Sequence, residues 1–465
     1  MIRVPFLVIA VVSSAFAGEI LLPETAKWRS AAELPPENWQ EPGFNDREWP
    51  LSLGAGAEDG TPQPWKSGRR WLRTSFQLAD PPKQPQFLLR HRGEVTIRLN
   101  GHLVTDLIGE APGAVPVPIE SEAFLSMKKG VNHITVELDC VGNDPSFSLL
   151  LEDAAPAGNI GAPLYRDPRF DGAADAMAVW DRGGKRWTMF YTQRRANLKH
   201  LPGVGYCYGC DVGMAVSTDG GRTWKYDGIA EGLETKGGRN TWWAPEVVFI
   251  NGLYHMWVSR TEGVRTSWGG DPTLVHYTSG DLKHWTYSDT PPFRDVIDAA
   301  IFPLPSGGWR MFYKQNSKTV MADSSDLKHW QERGGAAQDA GQEGPNVFRW
   351  KDRYWMIADV WRGQQIYQSD DLTTWKLQEG GTILGKPGSR RDDGAFGRHA
   401  DVVVQGDRAF ILYFTHPGGD DHHDRATSLK RTSVQVAELK FENGRITCDR
   451  DRALDYEWKP ELLDW

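Results

Sequence analysis

The chain has 465 residues, more than one ordinary domain holds, so two or three domains are expected. Hydrophobic residues make up 40%, ordinary for a globular protein, and the 21 Trp suit both core packing and the stacking of sugar rings on indole. A formal net charge of -8 supplies no electrostatic drive toward nucleic acid, and no phosphate loop or dinucleotide fingerprint calls for an organic cofactor.

Residues 1–17 read as a signal peptide: Arg3 is the charged start, Val4 to Val12 the apolar run, and Ala15-Phe16-Ala17 the cleavage site. The apolar run is too short to span a bilayer, and no other stretch reads as transmembrane. A secreted or periplasmic protein, off the membrane once the signal is removed, is expected.

Residues 18–153 alternate in short strands, such as Trp71 to Phe76, Val95 to Leu99 and His133 to Leu138. Asn100-Gly101 is a type I′ hairpin signal. The fold expected here is a jelly-roll β-sandwich. Residues 154–163, rich in Ala, Pro and Gly, read as a linker.

Residues 164–465 repeat. Five aromatic-led strands recur, led by Trp187, Tyr254, Trp309, Tyr354 and Phe410. A Ser-x-Asp turn ending in Trp recurs at Trp224, Trp285, Trp330 and Trp375, the last three 45 residues apart. Such a period predicts a propeller, here a five-bladed β-propeller, with Ser and Asp bonding local backbone and the Trp packing between blades. Ser433 to Leu439 is expected to complete the last blade. The whole chain is thus read as all-β.

Asp298, Glu343 and His399 each lie 11 residues ahead of an aromatic strand, and Asp175 lies 12 ahead of another; Trp243 holds the place in the second copy. Equivalent positions of a propeller converge on its axis, so carboxylates far apart in sequence would share one mouth. Glycoside hydrolysis needs such a set: an acid for the leaving oxygen, a base for water, and a further carboxylate whose repulsion keeps the acid protonated. A single Asp or Glu near a strand end caps a turn more often than it catalyses.

Trp243-Ala244-Pro245-Glu246, Ile297-Asp298-Ala299, Glu343-Gly344-Pro345 and Gly397-Arg398-His399, one per blade after Asp175, resemble glycoside hydrolase family 43 and its clan of five-bladed enzymes. The resemblance spans roughly residues 165–440. It implies Asp175 as general base, Glu343 as general acid and Asp298 as modulator of its pKa. It also implies inversion at the anomeric carbon, with a base–acid separation of roughly 6.5–9.5 Å. His399 would lie on the axis, where a calcium or sodium ion can sit, although no dedicated metal spacing is present. Trp242 and Trp243 would stack on sugar or pack between blades. Arg194 and Arg195 would be surface charges or would read a carboxylate on an acidic sugar. The chain departs from the family where Ala176 and Ala299, not Pro, follow the two Asp, and Asp167 and Asp171 stand near Asp175. The N-terminal stretch resembles the galactose-binding-like sandwich on Phe44 to Trp49, Trp71 to Arg73, Leu99 to His102 and Gly130 to His133.

Two other readings stay open. Ser217 to Trp224 fits a sialidase Asp-box, which would need six blades, and a non-catalytic carbohydrate-binding propeller would keep the Trp residues without a working carboxylate pair. Cys207 and Cys210 read as a local disulfide or two buried thiols, and a Cys140–Cys448 pair is undecided. Asp420 to Asp424 reads as a solvated loop. The sugar, the linkage and the oligomeric state are not encoded in any motif.

Overall fold

Burial alternates along Glu94–Leu99 and through most of Phe147–Asp153, as sheets with one dry face require, while Ala173–Asp181 and Arg186–Gln193 are buried on both faces. A computed structural model describes residues 19–53, 68–82, 84–107, 110–119, 121–140, 147–153, 160–198, 201–233, 238–339, 341–416 and 430–460. The signal segment, residues 154–159 of the linker and the run 420–424 lie outside them. Among the described residues helix is scarce, with Ser121–Ser126 and two 3-10 turns as its named elements, and no helix is long and apolar enough to cross a membrane.

The chain divides into two units, at Gly158 and Asn159, with the segment Glu120–Leu125 grouped with the second. The first unit holds a six-stranded and a four-stranded antiparallel sheet. Trp28 of the larger meets Phe147 of the smaller edge to face, with ring centroids 6.0 Å apart. Asn100 and Gly101 take left-handed φ of 50° and 88°, and Leu99 pairs with His102, so the hairpin turn forms as its sequence demands. The residues behind the sandwich resemblance are spent on structure. Arg73 Nε donates to Asp46 and its Nη2 to the Glu41 carbonyl, and Asn100 donates to Asn132.

The second unit is a propeller. Its described residues form five four-stranded antiparallel sheets in chain order, with first strands Ala173–Asp181, Thr241–Ile250, Val296–Pro303, Glu343–Trp350 and Arg398–Gln405. Each first strand packs beside the next, and the fifth beside the first, so the ring closes. Ser433–Glu442 is the third strand of the fifth sheet, and Tyr165 bridges to its Val434.

Five apolar clusters fill the five gaps between sheets. The turn tryptophans supply them: Trp285 lies against Phe190, Trp330 against Trp257 and Trp375 against Phe312. In each of these turns the indole N–H donates to a Leu carbonyl three residues earlier, while the Asp accepts two backbone N–H groups. Leu282, Leu327 and Leu372 stand at φ of 66°, 66° and 60°, a cost that repeated bonding offsets. These residues are therefore structural.

Candidate active site

Every first strand of the ring carries a bulge at one level. Pairing slips between Ala174 and Met177, Trp243 and Glu246, Ile297 and Ala300, Glu343 and Asn346, and Arg398 and Ala400. The extra residue is Asp175, Ala244, Asp298, Gly344 or His399, and the first four stand at φ of 51°, 46°, 60° and 56°. Bulges re-aim side chains, and here they turn one position per sheet toward the axis. This corrects the register read from the sequence. Asp175, Asp298 and His399 are equivalent, whereas Glu343 and Trp243 sit one residue earlier, still on the ladder opposite Asp359 and Ser259. The aromatic strand is a less exact ruler than the bulge, because the loops between them differ by a residue.

Near its end the second strand of each sheet places one residue opposite the residue before the bulge, namely Thr192, Ser259, Lys314, Asp359 or Phe414. Three of these residues fasten the next sheet. Thr192 Oγ1 accepts the Ala244 N–H at 2.9 Å, Ser259 Oγ that of Asp298 at 3.0 Å, and Asp359 Oδ2 that of His399 at 2.9 Å. At the third sheet the bulge carboxylate does this instead: Gly344 N–H donates to Asp298 Oδ2 at 3.0 Å. Gly344 is required there, since a Cβ would lie 2.8 Å from the His399 ring.

These fastenings gather the expected carboxylates. Asp175 Oδ2 accepts from Thr192 Oγ1 at 2.7 Å, and its Oδ1 lies 3.6 Å from His399 Nδ1 and 3.7 Å from Arg194 Nη2. Lys314 Nζ donates to Glu343 Oε2 at 2.8 Å. Burial would neutralise His399, but Asp298, Asp175, Glu343 and Asp359 around it raise its pKa. Asp175, Asp298, Glu343 and His399 thus share one charged cluster, with Lys314 and Asp359 as members the sequence reading missed.

The charge distribution differs from the expected one. Burial and then Glu343 raise Asp359 to about 7; burial, with Glu343 among the further causes, raises Asp298 to about 6. Burial also pushes Glu343 up, but the Lys314 ammonium, His399 and a hydrogen bond from Trp361 outweigh it and hold its pKa below the usual value. In the free protein Glu343 carries the charge, and Asp298 and Asp359 are the better proton holders. Removing the ammonium by Lys314→Met is expected to raise the Glu343 pKa. If protonated Glu343 is needed, the alkaline limb of kcat/KM moves up with it; an unmoved limb means that Glu343 is not the titrating acid.

Two expected substrate contacts are corrected. Trp242 is 3% exposed and packs in the core against Tyr277, because alternation along its strand sends it away from its neighbour. Arg195 is buried and donates to the Tyr208 and Gly205 carbonyls, clamping a loop. Trp243 remains at the bulge level, its indole donating to the Cys207 carbonyl at 2.7 Å and its ring against Tyr208. Arg194 lies over the Phe414 ring, and among the described residues its Nε has no hydrogen-bond partner. The neighbouring acids are committed elsewhere. Asp167 accepts from Tyr191 and Gln193, and Asp171 pairs with Arg166 and Arg431. Cys207 and Cys210 are two buried free thiols; the Cys140 side chain lies outside the described ones, and Cys448 is free.

Below the bulges lies a polar chamber of about 20 Å³ lined by Asp175, Glu246, Asn346, His399 and Asp401, room for one water-sized species. Here Glu246 accepts the Ile301 N–H at 3.0 Å and Asp401 accepts from Asn346 at 2.8 Å, so these oxygens bolt sheet to sheet. No group of three or more His, Cys, Asp or Glu among the described residues is arranged to hold a metal. Burial, with Asp401 adding, pushes Glu246 to about 8. A raised carboxyl binds its proton more tightly folded than unfolded, so stability falls as pH climbs from about 4 toward 8. Glu246→Gln keeps the acceptor without the charge and is expected to raise Tm at pH 9 by a gain of roughly 1–3 kcal/mol, with no change at pH 4. Thermal melts at the two pH values test this.

No protein-family profile and no curated protein matches the chain. Solved structures do. A thermostable family-43 glycoside hydrolase is 20% identical, with 62% of this chain and 97% of that one covered and a TM-score of 0.47. A family-43 β-1,3-galactosidase with galactodeoxynojirimycin is 14% identical, with 64% and 100% covered and a TM-score of 0.47. An α-L-arabinanase of Cellvibrio cellulosa complexed with arabinohexaose is 17% identical, with 60% and 95% covered and a TM-score of 0.43. At these identities and scores the likeness says nothing of activity.

Proposed function

We propose that this protein is an exported glycoside hydrolase that cleaves a plant or algal saccharide with inversion, through the charged mouth of its propeller. The observation that carries this is the convergence of Asp175, Asp298, Glu343 and His399 from four different sheets on one cluster. In this reading Asp175 takes the proton of the attacking water, with Thr192 and Arg194 holding the carboxylate in place. Glu343 gives a proton to the leaving oxygen. Glu343 holds that proton once the bound sugar draws Lys314 aside, with Asp298 beside it as modulator of its pKa. Trp243 supplies an apolar face for the sugar. Arg194, beside Asp175 and partly exposed, offers a contact to a sugar hydroxyl or carboxylate. The sandwich unit serves as a packing module. Proton NMR of a fresh digest tests the stereochemistry: the first anomer formed is expected to be inverted, and retention would remove Asp175 from its role as base.

One observation favours a second reading, a non-catalytic carbohydrate-binding propeller. Both principal carboxylates already face cations, Asp175 toward Arg194 and His399, and Glu343 toward Lys314. Such pairs suit fixed recognition of hydroxyls. A binder would keep its affinity in Glu343→Gln and show no turnover in either form.

A further inference from the structure

Trp361 occupies a backbone region that bulky residues avoid, with φ of 62°. Such an outlier persists only where its surroundings hold it. What holds it here is the charged cluster. The Trp361 N–H donates to Asp359 Oδ1 at 2.6 Å, while the other oxygen of that carboxylate holds the His399 N–H. The edge of its six-membered ring lies over Gly341, where a Cβ would come within 2.8 Å of it. Its indole is also among the groups that hold the Glu343 pKa down. Yet the residue is 38% exposed, unlike Trp350 and Trp355 of the same sheet, which are core. Packing does not call for a tryptophan strained against two carboxyls with much of its surface in water.

We propose that Trp361 is the platform for the leaving-group sugar, carrying that ring on its exposed face while its indole N–H aims Glu343 at the glycosidic oxygen. The inference rests on the glycosidase reading and deepens it. The substrate is a saccharide whose leaving group is itself a sugar ring with an apolar face, not a small alcohol. The aromatic face supplies affinity, and the N–H orients the carboxyl whose proton is transferred.

The test is titration calorimetry of wild type, Trp361→Phe, Trp361→Ala and Gly341→Ala with xylo-, arabino-, galacto- and agaro-oligosaccharides, alongside initial rates on the same sugars and on aryl glycosides. Trp361→Ala is expected to bind its best oligosaccharide about tenfold more weakly. Trp361→Phe is expected to keep the affinity and KM but lose kcat on sugar leaving groups, since it stacks without donating. Gly341→Ala, which crowds the ring, is expected to fall between wild type and Trp361→Ala. Equal affinity in all four proteins overturns the proposal, as does a wild type that binds none of the oligosaccharides. Weakened binding by Trp361→Ala without turnover by wild type would retain the platform and remove the glycosidase. Turnover with KM unchanged in Trp361→Ala would do the reverse.

Discussion

Asp175→Asn is expected to lower kcat about 10²–10⁴-fold on every substrate the protein cleaves, whatever the leaving group. The amide keeps the size of the side chain and can still bond Thr192 Oγ1, so the bulge at φ of 51° should persist; Asn tolerates that region well. What it loses is the charge that takes a proton from water. Nothing nearby can stand in. Asp167 and Asp171 are bound to their own partners, and Glu246 and Asp401 lie in the chamber below, bolted to neighbouring strands. Steady-state rates with sugar and aryl leaving groups, compared with melting temperatures, separate the chemical loss from a folding defect. A loss confined to one leaving group would argue against Asp175 as base.

Glu343→Gln is expected to behave differently. Proton donation matters most when the leaving oxygen is a poor one. The variant should lose about 10²–10⁴-fold on an oligosaccharide and far less on an aryl glycoside with an acidic phenol. Its pH profile should also lose the alkaline limb, since that limb reports the acid's titration. The substitution leaves Lys314 facing Asp298 with no carboxylate of its own, so Asp298 should ionise more readily. Equal losses on both substrates would mean that Glu343 positions rather than protonates.

The propeller was legible because its signals recur: five aromatic strands and four Ser-Asp-Trp turns. The level of the site was legible for the same reason, and Asp175, Asp298, Glu343 and His399 do meet. What escaped was the other half of each level. Lys314 and Asp359 lie near the ends of the second strands of adjacent sheets, 45 residues apart, at the place where Thr192 and Ser259 bond the next bulge. The same period that exposed the turn tryptophans would have exposed them. Lys314 matters most, because a cation there reverses the order of proton affinities that three carboxylates alone would suggest. Trp242 was misplaced because adjacent residues of a strand face opposite ways, and sequence does not say which way a bulge turns the pair; Arg195 lies past its strand, where the Tyr208 and Gly205 carbonyls claim its guanidinium. Trp361 carried no repeat signal; its strain and its neighbours exist only in three dimensions.

The most direct test of the central claim is product release from a panel of plant and algal polysaccharides by wild type and by the double variant Asp175→Asn/Glu343→Gln. Release of one sugar by wild type, with none from the double variant at equal melting temperature, is the expected result. Equal release by both proteins, or binding of a polysaccharide by both with release by neither, would contradict it.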